Sequence, residues 1–140
     1  MSKNAIPETK LSELFDAALQ ASKMSYSPYS KFPVGAAILT ADGRVFTGCN
    51  VENRSYGLTN CAERTAVFNA VVEGAQRFIA VAIAAPKADY PVGPCGACRQ
   101  VLTEFADGDV PVIFGTNFDN LKKATLGELY PYDSLHELAD

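Results

Sequence analysis

Two short stretches, Asn60-Cys61-Ala62-Glu63-Arg64 and Pro94-Cys95-Gly96-Ala97-Cys98-Arg99, constrain this chain more than any other feature. Cys95 and Cys98 stand at i and i+3, so in the first turn of a helix both sulfurs lie on one side, close enough to chelate one cation. The same pair also resembles a thioredoxin-type dithiol, whose pKa a helix N-terminus lowers, so C-x-x-C alone leaves metal and redox work open. Cys61 changes the balance because it too opens a helical pattern. If the two helix starts converge from neighbouring strands, three thiolates surround one ion and leave a fourth position open, the arrangement of a catalytic zinc site. A closed, structural site would need Cys49 as its fourth ligand.

Cys49 falls in the series Val45, Thr47, Cys49, Val51, whose alternate residues share one strand face, while Asn50 and Glu52 project from the other. If those polar side chains line a pocket, Cys49 points away from it and is a small core residue. For Glu63 two readings stay open: a carboxyl that reaches the metal site, which spacing alone does not prove, and a structural cap. Asn60 and Glu63 could be the N-cap and N3 of a capping box, and regular helix geometry turns Glu63 by roughly 200° from Cys61. Arg64, one turn beyond Cys61, either donates to thiolate sulfurs or is solvated.

The pattern along the chain says what carries these stretches. Leu11, Leu14, Phe15, Ala18 and Leu19 follow helical spacing and predict an amphipathic helix over 8–23. Residues 26–33, with two prolines and three aromatics, form an irregular but packed segment. Runs 34–40 and 44–51 flank Ala41-Asp42-Gly43 and read as a hairpin. A second helix starts at Cys61 and stops at Gly74. Residues 78–85 read as a strand buried on both faces, and a third helix starts at Cys95.

Residues 110–115 form another strand, with Pro111 at a sheet edge or at the strand's first residues. Residues 121–126 are a further strand candidate, and Thr125-Leu126-Gly127-Glu128 resembles a capping box opening a short helix before Pro131. The order α β β α β α β (β) α implies a layered α/β sandwich: three layers, α/β/α, around a mixed sheet of about five strands. At 140 residues and 48% hydrophobic content the expectation is one domain spanning 1–140.

Charge and hydropathy exclude several classes. With 12 basic and 16 acidic residues, a net charge of −4 and no block of Lys or Arg, polymeric nucleic acid is not an expected partner. The first residues lack a signal-peptide core, and the apolar run 78–85 is too short to span a bilayer, so the expectation is a soluble, cytoplasmic protein with no membrane partner. Four cysteines among ordinary core residues suit metal or catalytic use in a reducing compartment better than a disulfide scaffold. The sole histidine, His136, lies in the tail and carries no assigned role.

Taken together, Cys61-Ala62-Glu63 and Pro94-Cys95-Gly96-Ala97-Cys98-Arg99-Gln100 resemble the zinc nucleoside and nucleobase deaminases, in the form where cysteine replaces the first histidine. The resemblance narrows to the cytidine deaminases through residues 29–37 (Tyr-Ser-Lys-Phe-Pro-Val-Gly-Ala-Ala), 48–53 (Gly-Cys-Asn-Val-Glu-Asn) and 61–66 (Cys-Ala-Glu-Arg-Thr-Ala), and it extends over about residues 10–131. It implies that Cys61, Cys95 and Cys98 hold one Zn2+ per chain and that Glu63 shuttles protons. By the same resemblance Asn50 and Glu52 bind ribose hydroxyls, Phe32 stacks on the pyrimidine, Ala62 contacts the substrate and Arg64 stands behind the sulfurs.

The activity implied is hydrolysis of cytidine and 2'-deoxycytidine to uridine and 2'-deoxyuridine with release of ammonia, a pyrimidine-salvage reaction. Zinc polarises a water, Glu63 takes its proton, hydroxide attacks C4 of the ring, and the carboxyl returns protons to N3 and the leaving amine. Three thiolates give zinc a net charge of −1, which the two helix N-termini and Arg64 are placed to offset. The resemblance also implies a homotetramer, with Tyr132 reaching a neighbouring pocket. Arg54 and Gly93 stand where the family usually has a small residue and commonly serine. Alternatives are a deaminase of the same fold acting on another amino-pyrimidine, such as a nucleoside antibiotic or a nucleotide, and a dithiol redox protein.

Overall fold

The computed structural model describes residues 5–135 and 138; His136 lies outside them. Helix α1 (Glu8–Ser22) is followed by strands β1 (Gly35–Thr40) and β2 (Val45–Cys49), helix α2 (Ala62–Val72), strand β3 (Phe78–Ala84), helix α3 (Gly96–Thr103), strands β4 (Pro111–Gly115) and β5 (Leu121–Thr125) and the short helix α4 (Leu126–Leu129). A single 3-10 turn, Tyr56–Leu58, interrupts the loop between β2 and α2. The strands form one sheet in the order β2-β1-β3-β4-β5. Only β3 and β4 run parallel, joined by α3; the other pairs are antiparallel.

Alternation along β3 builds the layers. Val81 and Ile83 turn towards α2 and α3, packing with Ala66, Val67 and Leu102. Ala80, Ala82 and Ala84 turn the other way, towards Leu11, Leu14, Phe15 and Ala18 of α1. The result is the expected α/β/α arrangement around a mixed five-stranded sheet. β3 is buried along nearly its whole length, which is why it reads as a continuous apolar run.

Two close approaches fix the helices on the sheet. A Cβ at Gly35 would fall 2.0 Å from the Ala18 carbonyl oxygen, so α1 lies directly on β1. A Cβ at Gly48 would fall 2.4 Å from the Ala66 nitrogen and 2.7 Å from the Ala62 oxygen, so glycine at the end of β2 lets the first turn of α2 sit against the hairpin. Pro111 is the first residue of β4, and that strand is interior, between β3 and β5, not at an edge. The Thr125 capping box forms as its pattern suggested: the Glu128 amide donates to Thr125 Oγ1 at 3.1 Å, and the Thr125 amide to Glu128 Oε1 at 2.8 Å.

Candidate active site

Cys61 and Cys95 are the N-cap residues of α2 and α3, both with extended backbone, and Cys98 follows one turn into α3. Their three sulfurs lie within 4.8 Å of one another, Cys61 and Cys95 at 3.8 Å. Zinc–sulfur bonds of about 2.3 Å at tetrahedral angles put two ligand sulfurs about 3.8 Å apart, so this donor set fits one zinc ion. Cys49 is not part of the cluster; its thiol reaches the Met24 carbonyl oxygen at 3.5 Å. It is half-buried on a strand face it shares with exposed Val45 and Thr47, so the expected core environment is corrected to an outward one.

Arg64 Nη2 donates to Cys61 Sγ at 3.2 Å, one turn back on the same helix face. Its Nε is buried without a hydrogen-bond partner among the described residues. Hydrogen bonding from the Cys98 thiol, then from Arg64 and the Cys95 thiol, pulls Cys61 down to about 5. Cys98 is pushed up, chiefly by the proton it shares with Cys61 and by burial. A cluster in which the Cys98 thiol and the Arg64 guanidinium both favour the thiolate form of Cys61 is prepared for a cation.

Glu63 is only 5% exposed, and burial pushes its carboxyl up to about 7. The capping-box reading is corrected: the N-cap is Cys61, with no side-chain cap, and the Asn60 amide group donates instead to Thr65 Oγ1 at 3.1 Å. The regular 200° turn between Cys61 and Glu63 does not apply, because the extended N-cap lies outside the helical geometry that sets that angle. Both residues therefore face one cavity of about 200 Å³, which Asn50, Ala62, Gly93 and Cys95 also line. A second hollow of about 420 Å³, lined by Glu52 with Tyr29, Ser30 and Tyr56, shares Thr59 as a common wall.

Asn50 and Glu52 are engaged by the 25–34 segment. Asn50 Nδ2 donates to the Phe32 carbonyl at 2.9 Å, and its Oδ1 accepts from the Val34 amide at 2.9 Å and from Ser25 Oγ. Glu52 Oε1 accepts from the Tyr29 and Ser30 amides at 3.0 and 3.1 Å, and its Oε2 from Ser30 Oγ. These donors, the Ser30 hydroxyl foremost, hold the Glu52 carboxyl below its usual range. Phe32 is half-buried and pinned through its main chain, and neither it nor the exposed Arg54 is among the residues lining the two hollows.

The profile described as the cytidine and deoxycytidylate deaminase zinc-binding region matches residues 8–114. The chain belongs to this family. A curated cytidine deaminase of Sporosarcina psychrophila is 47% identical over 119 residues, 85% of this chain and 87% of the relative. A cytidine deaminase of Halalkalibacterium halodurans is 49% identical over 118 residues, covering 84% and 89%. Among solved structures, the cytidine deaminase from Burkholderia pseudomallei superposes with a TM-score of 0.81 at 45% identity, covering 86% of this chain and 95% of that one.

Membership in this deaminase family assigns zinc to the thiol cluster and sets the dithiol redox alternative aside. It also gives a context to residues that the pattern of the sequence did not single out. Thr59 and Val92 line the deaminase cavity although nothing in their spacing points there, and Asn60, weighed in the sequence only as a helix cap, lines it too. Arg99 donates from Nε to the Pro94 carbonyl and from Nη1 to the Leu129 carbonyl, both at 2.7 Å, bracing the turn before Cys95 against the end of α4. Leu129 is 30 residues away in sequence, so no local signal reveals that brace.

Proposed function

We infer that the chain hydrolyses cytidine and 2'-deoxycytidine to the corresponding uracil nucleosides and ammonia. The observation that carries this is one cavity lined by Cys61, Cys95 and a buried Glu63 carboxyl poised near neutrality, with the Cys98 thiol converging on the two cysteines from behind. Cys61, Cys95 and Cys98 would hold zinc. Bound there, the ion supplies Lewis acidity that makes a water nucleophilic near neutral pH.

The remaining chemistry belongs to the chain. Glu63 accepts the proton that the attacking water gives up and delivers it to N3 of the pyrimidine, then takes the remaining proton of the added hydroxyl and passes it to the departing amine; a carboxyl poised near 7 does both without a large penalty either way. Amides in the first turn of a helix lack intrahelical acceptors, so the buried Ala62 N–H is available to a polar edge of the base. Phe32 is assigned to stack on the ring; pinned through its main chain to Ser30 and Asn50 and lining neither hollow, it turns its side chain in to do so. With the base over the thiols, the sugar extends past Thr59 towards Glu52 and Asn50. Arg64 withdraws charge from Cys61 so that the thiolates do not suppress acidity at the metal.

The assembly proposed is a homotetramer acting in cytoplasmic pyrimidine salvage. Support comes from apolar side chains that a monomer leaves in water, among them Leu58 (72% exposed), Val72 (78%) and Tyr132 (92%). A centre of three free thiols also suits a reducing compartment. No helix among the described residues is long and apolar enough to cross a membrane. Turnover of cytidine, deoxycytidine, their monophosphates and an amino-pyrimidine nucleoside antibiotic tests the substrate assignment. The two nucleosides should be turned over fastest; a monophosphate or the antibiotic outrunning both would reassign it.

A further inference from the structure

The loop of residues 27–33 is held in a conformation that its own sequence does not favour. Lys31 adopts φ 59°, a left-handed backbone that a residue with a Cβ rarely takes. On one side of it the Lys31 amide donates to the Ser27 carbonyl at 3.0 Å. Across it the Phe32 amide donates to Ser30 Oγ at 3.1 Å. Strain of this kind persists where surrounding contacts over-determine it, and such places concentrate at functional sites.

The Ser30 hydroxyl is the centre of that arrangement. Because the Phe32 amide occupies its acceptor side, its single proton is left to point at Glu52 Oε2. The Tyr29 and Ser30 amides take the other oxygen of the same carboxylate. A carboxylate offers about four acceptor positions, and three donors are already in place, so Glu52 keeps room for about one more hydroxyl. Ser30 thus fixes which way the carboxylate faces and which acceptor position stays open.

We propose that Ser30 is a positioning residue for sugar recognition: its hydroxyl, oriented by the Phe32 amide, locks the Glu52 carboxylate with one acceptor position turned to a ribose hydroxyl. This rests on the reading that Glu52 receives the sugar. Ser30 acts through Glu52 and touches neither zinc nor base. Since its contribution is to binding that is equal in ground and transition states, its loss raises KM and leaves kcat nearly unchanged.

Steady-state kinetics with cytidine and with 2',3'-dideoxycytidine, which lacks both secondary hydroxyls of the sugar, test this on wild type, Ser30→Ala, Ser30→Thr and Glu52→Gln. Expected for Ser30→Ala is a KM for cytidine raised about tenfold with kcat within about twofold, and a clearly smaller rise for the dideoxynucleoside. Ser30→Thr, which keeps the hydroxyl, should restore wild-type behaviour. An equal penalty on both substrates in Ser30→Ala, an unchanged KM, or a Ser30→Thr as impaired as Ser30→Ala would overturn the proposal. Glu52→Gln separates the levels: if it discriminates between the two substrates and Ser30→Ala does not, only the role of Ser30 falls. If Glu52→Gln treats both alike, the sugar assignment of Glu52 falls, and the role of Ser30 with it.

Discussion

At the scale of single residues, the site depends on side chains whose ordinary chemistry has been displaced by their neighbours. Glu63 is buried beside a thiolate, so its proton is held near neutrality, where a carboxyl both accepts and donates. Glu63→Gln keeps the shape and removes the exchange. The variant should fold, retain zinc and lose about 10²- to 10⁴-fold in kcat for cytidine, read from the fall in cytidine absorbance. A variant with near wild-type kcat would return Glu63 to a structural role. Arg64 is tied to Cys61 and leaves its buried Nε unpartnered. Arg64→Ala should release zinc to a chelator with an affinity lowered about 10- to 100-fold, since groups that orient and compensate metal ligands carry effects of that size. Unaltered zinc retention and kcat would show that the guanidinium is incidental.

At the scale of elements, α2 and α3 bring Cys61 and Cys95 together because each follows a strand of the same sheet and each begins at a cysteine. Gly48 is the point where β2 admits α2. Gly48→Val forces a side chain into the α2 backbone and should lower stability by about 1–3 kcal/mol in urea unfolding, together with zinc content, because the displaced turn carries Cys61. Full stability would mean that the helix has room to shift. The helices and strands themselves were legible from periodicity, and β3 from its apolar run. The direction of Glu63 was not, because the extended N-cap at Cys61 breaks the angular count on which helical spacing relies. The use of Glu52 as an anchor for Tyr29 and Ser30 was also hidden, since those partners lie 23 and 22 residues earlier. Local pattern constrains local geometry; contacts across the fold follow only once the sheet order β2-β1-β3-β4-β5 is known.

At the scale of the whole molecule, the cavity of about 200 Å³ is smaller than the 300–1,000 Å³ usual for small-molecule sites, and the hollow beside Glu52 is open. Apolar side chains left in water, Leu58, Val72 and Tyr132 among them, call for neighbouring chains to cover them. Light scattering should therefore give the mass of four chains, and a monomer at working concentration would contradict the tetramer. Whatever the assembly, one zinc held by three thiols beside Glu63 makes this chain a cytidine deaminase. This is tested most directly by measuring cytidine turnover while metal-free protein is titrated with zinc. Turnover should rise from near zero and level off at one zinc per chain; activity without zinc, or none at one equivalent, would contradict it.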